Sequence, residues 1–598
     1  MRRLPPFCSA LRLTLRLSGI LLIISPFTSS GVNIVRGPFF FPAANAPLAG
    51  TLQVDTDVPS RVSVSYDDGL HVWQRNFYDY GTTHVIPLLG FYANRTNQIS
   101  VTVSDKAGNS ASTTPPMIFV TGPLPSDFPV SVLLTNQPDK MEPGYTLFRV
   151  QNRTDNVAYL VIVDNAGQVV WYSGVPSTSD VRQLANGDLF LPLTSSFEEL
   201  DLLGNTVQTW PVPNNLTINL HDGVPTPHGT ILYLNDASEV LTNFPTSDTD
   251  PNSPPATSWV LYNRVVEISA TDSSLLNIWS PINVLDPRRL TYLTFALNTP
   301  YGWDIEHANA LIEDPKDNSL IISMREQNAV IKFARDTGAV KWILGPPEQW
   351  GPAFQQYLLT PIGTPFQWQY GQHAPIFTPQ GTLMVYDDGN YRASPFDPPL
   401  PDTDNYSRAV EYSINEQTME ISQVWQYGET NSNDRLYTDR VGNAERLPQT
   451  GNVLVDFGYV IYINGQRPSP YSPGATMFRI QEVTHDASPE VVFDLEFFDS
   501  SNTKSNYNGY FAYRAHRIPD LYSTQPQPVT DLALVMESGT ATLEFTGDPN
   551  RTYLVEGSSD LSTWTELGSA SGDEQGNFSF GDGITSYTAA RYFRVRSQ

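Results

Sequence analysis

The feature that most limits the fold of this chain is a unit of a turn followed by a strand, which recurs between residues 130 and 522. Each copy begins with a turn that contains glycine and, in most copies, proline or asparagine, and continues directly into an apolar strand. Five copies lie at 185–191, 227–233, 315–322, 379–385 and 448–455. A neighbouring strand ends on an aromatic residue at Trp171, Trp210, Trp279, Trp342, Trp425 and Phe493. These ends predict an all-β fold with a six-bladed β-propeller, in which radial closure protects the sheet edges.

The regions on either side of the repeats predict two further β domains. Residues 31–128 contain alternating strands with turn signals about every ten residues, which is typical of an immunoglobulin-like β-sandwich. Residues 526–598 contain further short strands and predict a small C-terminal β module without a catalytic role. We therefore predict a signal peptide at 1–30, a sandwich at 31–128, a catalytic propeller at 129–522 and the module at 526–598.

The first 30 residues have the pattern of an export signal. Basic residues precede an apolar run at 17–24, and small residues follow it at 29–31. The run is too short to span a bilayer, so we expect removal of the signal, no membrane insertion, and a secreted or periplasmic mature chain. The single cysteine, Cys8, lies in this segment, and the mature chain would contain no disulfide.

The charge of the chain argues against one class of partner. With 62 acidic and 35 basic residues the formal net charge is −27. Such an acidic surface repels nucleic acid, and we expect no nucleic-acid partner. Basic groups that gather in one cleft would then suit an anionic substrate.

Three of the 8 histidines occupy similar positions in successive repeats. His221 and His373 each precede a turn glycine by the same interval, and His307 has a comparable phase. Because strands at one phase of successive blades line the channel of a propeller, we expect these imidazoles to converge. Arg325, which we place on the strand after His307, is expected to reach the same pocket.

Other interpretations of these residues need to be weighed. Three histidines in one cavity would suit zinc. However, the sequence has no His-x-His or His-x-x-x-His pair and Arg325 would repel a cation, so we expect neither a metal nor another cofactor. Each histidine alone could be structural, and Arg325 could simply pair with a carboxylate. We expect a structural or solvated role for the remaining histidines of the mature chain: His71, His84, His228, His485 and His516.

At these residues the chain resembles the arylsulfotransferases, also called aryl-sulfate sulfotransferases, which move a sulfuryl group between phenols without a nucleotide donor. The similar segments, in the family's order, are 307–309, 325–330, 341–346, 370–373 and 407–412. The resemblance extends over most of the repeat region and implies a β-sandwich ahead of a six-bladed propeller. Two positions depart from the family's pattern: Ala310 replaces a usual serine and Glu326 a common histidine.

The resemblance implies a ping-pong mechanism through a sulfohistidine. His373 would be the nucleophile, and His221, His307 and Arg325 would hold the sulfuryl oxygens. A neutral imidazole is a good nucleophile, and one remaining histidine should exchange a proton with the phenol. We choose His307 first for that role and His221 second.

Three more residues are candidates for substrate binding. Asn309 would orient a histidine or bind a sulfuryl oxygen. Tyr370 and Trp303 would stack on a phenol ring, although simple packing explains both equally well.

The expected function is therefore transfer of a sulfuryl group from an aryl sulfate donor to a phenolic acceptor. A homodimer is our candidate oligomeric state. Two alternatives stay open, namely an aryl-sulfate hydrolase and a non-catalytic propeller that binds sulfated ligands. Loss of His373 separates them, because a binding protein would tolerate it and a covalent catalyst would not.

Overall fold

The structure is a computed structural model, and it describes most of the chain. The described ranges are 31–152, 157–174, 178–213, 216–283, 285–314, 316–428, 434–467, 476–498, 509–522, 529–537, 540–549, 551–573, 576–581 and 592–597. Regular structure in these ranges consists of β-strands and four short 3-10 turns: Pro138–Lys140, Pro281–Asn283, Gln355–Tyr357 and Asp402–Asp404. The all-β prediction is confirmed.

The structure bears on the prediction about membranes but not on the prediction about export. None of the described helical segments is long and apolar enough to cross a bilayer. The predicted signal peptide at 1–30 lies outside the described residues, so export stays a prediction from the sequence.

The N-terminal strands form one six-stranded sheet. The strands are β1 (Ile34–Pro42), β2 (Gly50–Asp67), β3 (Val72–Leu88), β4 (Thr96–Asp105), β5 (Ser110–Ser112) and β6 (Met117–Val120). The path β1–β2–β4–β5 carries β3 on β2 and β6 on β4. Burial alternates along β2, with Leu52, Val54, Val62 and Val64 inside, as a strand with one buried face requires.

The described residues of the repeat region fold into six sheets, which we number in chain order. The strands of sheets 1 to 3 are as follows. Sheet 1 holds β8 (Tyr145–Asn152), β9 (Val157–Val163), β10 (Val169–Gly174) and β35 (Phe511–Ile518). Sheet 2 holds β11 (Arg182–Gln183), β12 (Leu189–Pro192), β13 (Ser196–Leu200) and β14 (Thr206–Pro211). Sheet 3 holds β15 (Gly223–Pro225), β16 (Thr230–Phe244), β17 (Ala256–Ser269), β18 (Leu275–Trp279), β19 (Asn298–Thr299) and β20 (Gly302–Asp304).

Sheets 4 to 6 continue the series. Sheet 4 holds β21 (Ala308–Asp314), β22 (Ser319–Met324), β23 (Ala329–Ala334) and β24 (Val340–Leu344). Sheet 5 holds β25 (Thr360–Pro361), β26 (His373–Phe377), β27 (Leu383–Asp387), β28 (Arg408–Asn415) and β29 (Glu420–Gly428). Sheet 6 holds β7 (Val130–Asn136), β30 (Leu436–Thr438), β31 (Asn443–Arg446), β32 (Val453–Ile463), β33 (Met477–Val483) and β34 (Val491–Phe498).

The first strand of the repeat region belongs to its last sheet, and the last strand belongs to its first sheet. β7, the first strand, pairs antiparallel with β34 of sheet 6, and β35, the last strand, pairs antiparallel with β8 of sheet 1. The ladder hydrogen bonds of the first and last sheets therefore depend on strands far apart in sequence.

Apolar layers join neighbouring sheets. Leu232 of sheet 3 belongs to one buried cluster with Leu311 of sheet 4, and Ile321 of sheet 4 to another with Leu383 of sheet 5. Similar clusters join sheets 2 and 3 and sheets 5 and 6. Each fully buried aliphatic side chain contributes about 1.5–3 kcal/mol, so these layers supply much of the stability.

The tryptophans that end the repeats share one contact. In each case the indole Nε1–H donates a hydrogen bond to a residue of the following sheet's outer hairpin. The pairs are Trp171 with the carbonyl of Leu202 at 2.7 Å, Trp210 with Ala270 at 2.8 Å, Trp279 with Arg335 at 2.8 Å, and Trp425 with Asp486 at 3.1 Å. Trp342 instead donates to the carboxylate of Glu416 at 3.0 Å. The repeated aromatic residue thus fixes each sheet against the next, because a buried indole needs an acceptor.

The C-terminal residues form two small sheets. The first holds β36 (Thr530–Glu537), β37 (Thr540–Thr546), β40 (Ser571–Gly572) and β41 (Asn577–Phe580). The second holds β38 (Tyr553–Ser558), β39 (Thr565–Ser569) and β42 (Tyr592–Ser597). By backbone contacts, the described residues of Met1–Ala43, Ala49–Gly122 and Thr524–Gln598 form one compact unit, and those of Ala44–Leu48 and Pro123–Ser523 form the other.

Candidate active site

The three predicted histidines lie where an edge strand of each of sheets 3, 4 and 5 begins. His221 lies in the turn before β15, His307 immediately precedes β21, and His373 is the first residue of β26. The ring centroids of His221 and His307 are 4.8 Å apart. The ring of Tyr513 on β35 lies 5.6 Å from that of His221 and 6.2 Å from that of His373. Tyr513 therefore lies beside both His221 and His373, and His307 lies against His221.

His373 is buried against a carboxylate. Its Nδ1 lies 2.7 Å from Oδ2 of Asp388, and both side chains are almost fully enclosed. Burial, reinforced by the positive charges of Arg325, His221 and His307, holds the pKa of His373 well below its usual range. Burial also raises the pKa of Asp388, and the charge of Arg325 opposes that shift. The imidazole of His373 is therefore neutral at neutral pH.

His307 has a similar partner and the opposite electrostatic outcome. Its Nδ1 lies 2.6 Å from Oδ2 of Asp304, whose Oδ1 also accepts the backbone N–H of His307 at 2.9 Å. Burial alone would lower the pKa of His307, but the negative charge and hydrogen bond of Asp304, together with Glu326, raise it. This histidine therefore favours the protonated form.

His221 is held through a chain of amides. The Oδ1 of Asn219 accepts from Nδ1 of the His221 ring, and the Nδ2 of Asn219 donates to Oδ1 of Asp236 at 2.7 Å. The same Asp236 oxygen accepts from Asn263 at 2.8 Å, and Oδ1 of Asn263 accepts the backbone N–H of Ala308 at 2.6 Å. The chain connects the support of His221 to the residue that follows His307.

Arg325 lies in the turn after β22. The sequence placed it on the strand itself, which was wrong: β22 ends at Met324, and the backbone N–H of Arg325 donates to the carbonyl of His307 at 3.3 Å. The guanidinium donates to Oε1 of Glu326 at 2.8 Å, and its Nε lies 4.0 Å from Oδ2 of Asp388. This Nε–H is buried and has no hydrogen-bond acceptor among the described residues. One donor of a cationic group is therefore left for a bound anion.

Asn309 positions the backbone next to His373. Its Nδ2 donates to the carbonyl of Gln372 at 2.7 Å, while its buried Oδ1 has no hydrogen-bond partner in the described part of the chain. The carbonyl of Asn309 accepts from the hydroxyl of Tyr513 at 3.0 Å and from Nη2 of Arg514 at 2.7 Å. Asn309 thus links β35 to the segment that carries His373.

The segment before His373 tolerates few substitutions. Gly371 has a φ of 65°, and a Cβ at this position would overlap Oδ1 of Asn390. Gln372 is fully buried, and its Nε2 donates to Ser323, Met324 and Ala329 at 3.0–3.1 Å. Because these contacts use backbone and hydroxyl acceptors of sheet 4, they fix where β26 begins and hence where the imidazole points.

The backbone at two of these histidines is strained. His307 has a φ of 44°, and Ala374, which follows His373, has a φ of 48°. Residues other than glycine adopt this left-handed region at a cost of roughly 1–3 kcal/mol, and such positions cluster at functional sites.

The two predicted aromatic binders take different places. Trp303 on β20 packs in a hydrophobic cluster that includes Val260 and Ile305, with its ring 5.2 Å from that of Phe295. Tyr370 is half-buried, and its backbone N–H donates to Oδ1 of Asp387 at 2.9 Å. Burial raises the pKa of the Tyr370 hydroxyl to about 12. The packing interpretation describes Trp303 well.

The sequence did not identify four residues of this site: Asp304, Asp388, Tyr513 and Arg514. Asp304 precedes His307 by three residues, a spacing that could have been noticed. Asp388 follows the end of β27 within Asp-Asp-Gly, but carboxylates are frequent in a chain with 62 acidic residues. Tyr513 and Arg514 come from the distant β35, for which no local signal exists.

One group of carboxylates outside the site has the spacing of a metal centre. Asp314, Asp317 and Glu416 offer oxygens close to one another. The Nζ of Lys332 lies 2.6–2.9 Å from all three, and its side chain is only 1% exposed. The ammonium group occupies the position that a cation would take and compensates the negative charge.

Comparison with known proteins identifies two family matches. The profile of the family described as Arylsulfotransferase (ASST) matches residues 117–508, and that of the Arylsulfotransferase Ig-like domain matches residues 39–118. The second match confirms an immunoglobulin-like domain at the N-terminus.

Individual relatives are distant. The chain is 24% identical over 370 residues to the arylsulfate sulfotransferase AssT of Escherichia coli O6:H1, and it covers 59% of that relative, so it spans less than two thirds of its length. It is 22% identical over 505 residues to AssT of Lelliottia amnigena, a match that covers 66% of this chain and 80% of the relative. A crystal structure of a protein of unknown function from Bacteroides caccae covers 62% of this chain and 98% of its own, with 12% identity and a TM-score of 0.35. A TM-score this low supports no conclusion about the present fold.

Proposed function

The chain belongs to the arylsulfotransferase family, and on that premise we propose that it transfers a sulfuryl group from an aryl sulfate to a phenol by a ping-pong mechanism through a sulfohistidine at His373. No nucleotide donor takes part. The observation that carries the proposal is the buried, neutral His373 with a carboxylate at Nδ1 and the cationic Arg325 beside that carboxylate.

In the first half-reaction, Nε2 of His373 attacks the sulfur of the donor. The S–O bond to the aryl group breaks, the sulfuryl group stays on Nε2, and the phenolate takes a proton from the His307 imidazolium. The attack requires the His373 proton on Nδ1, where it is donated to an ionised Asp388; burial raises the pKa of Asp388 and opposes this ionisation, and the charge of Arg325 favours it.

The second half-reaction reverses these roles. The acceptor phenol gives its proton to the now neutral His307, and its oxygen attacks the sulfur. The S–N bond breaks, and its electron pair returns to Nε2 of His373. His307 ends protonated, ready for the next donor.

The remaining groups stabilise charge on the sulfuryl oxygens. Sulfuryl transfer resembles phosphoryl transfer in its loose transition state, where charge spreads over the equatorial oxygens. The free Nε–H of Arg325 is a donor available to one oxygen, and His221 lies beside His307 to serve another.

We propose that the six sheets are the blades of a β-propeller. Six sheets follow one another in sequence, apolar layers join successive sheets, and the first and last strands exchange between the end sheets. The edge strands β15, β21 and β26, at whose starts the histidines lie, would then line its channel.

The decisive experiment is mass spectrometry of the protein after brief mixing with para-nitrophenyl sulfate and no acceptor, with nitrophenolate release followed in parallel. We expect a burst of nitrophenolate and an added sulfuryl mass on the peptide that contains His373. Addition of a phenol should discharge the adduct. The His373→Asn variant should give neither burst nor adduct.

Two other outcomes would replace the proposal. Continuous release without an adduct, and without transfer to a phenol, would indicate an aryl-sulfate hydrolase. Binding of aryl sulfates with neither release nor adduct would indicate a binding propeller.

A further inference from the structure

Two tyrosines lie on loops beside the arginine of the site. Asn390, whose Oδ1 lies 3.3 Å from the donating Nη2 of Arg325, is followed directly by Tyr391. Tyr391 is 36% exposed, and its ring centroid lies 5.3 Å from that of Tyr292. We call these two rings the aromatic face.

The aromatic face is held in place by its loops. Tyr391 has a φ of 62°, which is unusual for a bulky residue and persists only where the surroundings enforce it. The carbonyl of Tyr391 accepts the backbone N–H of Leu400 at 2.8 Å, and the hydroxyl of Tyr292 donates to the backbone carbonyl of Asp397. The rings therefore present a preformed apolar surface that can stack on another aromatic ring.

Three carboxylates surround this face: Asp248, Asp397 and Asp402. We call them the carboxylate rim. The carbonyl of Asp248 accepts the backbone N–H of Phe396 at 3.0 Å, which brings the loop of Asp248 to the loop that carries Tyr391. Burial and then the negative charges of Asp248 and Asp397 raise the pKa of Tyr292. Burial and then Asp402 raise the pKa of Tyr391, with a further contribution from Asp248 against the opposing charge of Arg325.

Two of the cations near this face are already paired. Nη1 of Arg392 lies 3.0 Å from Oδ2 of Asp387, and its guanidinium stacks on Tyr406 at 3.8 Å. Arg325 pairs with Glu326 at 2.8 Å. The carboxylate rim therefore places negative charge at the aromatic face, partly offset at Asp402 by the nearby Arg467, while Arg325 lies beside Asp388, where the sulfuryl group would bind.

We propose that the ring of the phenolic substrate rests on the aromatic face and that the carboxylate rim selects phenols that carry an ammonium group over phenols that carry a carboxylate. The inference rests on the proposed function and adds its substrate class. In a ping-pong reaction the leaving phenol and the acceptor phenol occupy the same place, so the preference applies to both.

The test compares three para-substituted phenols as acceptors, with para-nitrophenyl sulfate as donor. Tyramine carries an ammonium group, para-ethylphenol is neutral and phloretic acid carries a carboxylate. We expect kcat/KM to fall in that order, with tyramine roughly tenfold above phloretic acid at low salt. The ratio should shrink as salt screens the rim.

Variants assign the preference to its source. In the double variant Asp248→Asn, Asp402→Asn, we expect the ratio of tyramine to phloretic acid to fall toward one. Asp272→Asn, which removes an exposed carboxylate in a turn of sheet 3, is the matched control and should keep the wild-type ratio. Tyr391→Ala should lower kcat/KM roughly tenfold for all three phenols, including the neutral one, because the stacking surface is lost.

The outcomes separate this inference from the proposed function. Sulfation of para-ethylphenol with equal kcat/KM for tyramine and phloretic acid would overturn the charge preference and leave the transfer reaction standing. A preference that survives in the double variant would overturn the carboxylate rim, and an unchanged kcat/KM in Tyr391→Ala would overturn the aromatic face. Absence of nitrophenolate release and of transfer to every phenol would overturn the proposed function itself.

Discussion

At the scale of single residues, two histidines with nearly the same carboxylate contact differ in charge. His373 and His307 each place Nδ1 within 2.7 Å of an aspartate. His373 is 3% exposed at its side chain and faces positive groups, whereas His307 is 21% exposed and also faces Glu326. Solvation and the sign of the neighbouring charges decide the protonation state, because a carboxylate partner is common to both.

The role of Asp388 can be tested without removing His373, the proposed nucleophile. We expect Asp388→Asn to lower kcat roughly 10²–10⁴-fold, because an amide can hold the His373 ring in the wrong tautomer and cannot compensate charge on the sulfated ring. The rate of nitrophenolate release in a stopped-flow burst measures the effect. Burst kinetics like those of the wild type would show that Asp388 has only a packing role.

The opposite pKa shifts predict a pH profile with two limbs. With a donor whose phenol is weakly acidic, neutral His373 and protonated His307 are both needed. The acid limb should therefore lie below the ordinary imidazole pKa of 6.5 and the alkaline limb above it.

His307→Gln should remove the alkaline limb and should slow para-nitrophenyl sulfate less than donors with weakly acidic phenols, since nitrophenolate needs little protonation to leave. The measurement is kcat/KM against pH for both donors. An alkaline limb that persists in His307→Gln would assign the proton transfer to another group, with His221 as the next candidate.

The catalytic candidates of this site were largely predictable from sequence, and their supports were not. The three histidines and Arg325 were found from repeat phase and motif order. Asp388 carries no distinguishing signal in an acidic chain, and Asp304 carries only its spacing of three residues from His307. The pKa direction of a histidine depends on burial, which a sequence does not give. Trp303, by contrast, looked like a binding residue and lies in a core cluster.

At the scale of elements, the tryptophan at the end of a repeat binds its sheet to the next one through a hydrogen bond. Five tryptophans donate to the next sheet, and the sixth repeat ends on Phe493, which has no such donor. Phe493 lies on β34, which pairs with β7. The sixth repeat end therefore has no indole hydrogen bond, and its strand β34 pairs with β7 through backbone hydrogen bonds.

Trp210 gives a clean measure of this contact. Trp210→Phe keeps a ring but loses the Nε1–H that donates to Ala270, and we expect a loss of about 1 kcal/mol in the free energy of unfolding. Trp259→Phe, at a position that is 58% exposed, is the control and should change stability by less than about 0.5 kcal/mol. Urea denaturation measures both; equal effects would show that the indole hydrogen bond contributes nothing.

β35 couples stability to pH through His516. Nε2 of its ring lies 3.3 Å from Asp180 and Nδ1 lies 3.1 Å from Glu445. Burial opposes protonation, but these two carboxylates raise the pKa of His516 to about 9. The folded state therefore binds a proton that the unfolded state releases above pH 6.5. The contribution of His516 to the free energy of unfolding is fully present below pH 6.5 and is lost as the pH rises to 9.

The difference between the two pKa values corresponds to a stabilisation of about 3 kcal/mol. Chemical denaturation at a series of pH values should show a decline of about that size in the wild type and a flatter profile in His516→Gln. The slope is the readout, since the substitution can also change stability at every pH. Identical slopes would contradict the ion pairs of His516.

At the scale of the whole molecule, local patterns predicted the number of sheets in the repeat region but not the pairing of its first and last strands. The six repeat ends correspond to six sheets, because each end is a short strand that ends on an aromatic residue and can be recognised from local sequence. The pairing of β7 with β34 and of β35 with β8 joins strands more than 350 residues apart, and no local periodicity reports such pairs. For the same reason, local patterns could not predict that Tyr513 and Arg514 lie at the candidate site.

The pairing of β35 with β8 predicts that two truncations differ sharply. A chain that ends at residue 522 keeps β35 and loses only the C-terminal β module, so we expect sulfuryl transfer close to that of the full chain. A chain that ends at residue 508 loses the strand that completes sheet 1 and supplies Tyr513, Arg514 and His516, and we expect no transfer. Circular dichroism and thermal unfolding of both truncations show whether the fold is lost together with transfer.

Transfer by the shorter chain would mean that the remaining five sheets and β8–β10 form the site alone. Loss of transfer in the longer chain, with its fold intact, would give the C-terminal β module a part in catalysis that the structure of the six sheets does not require.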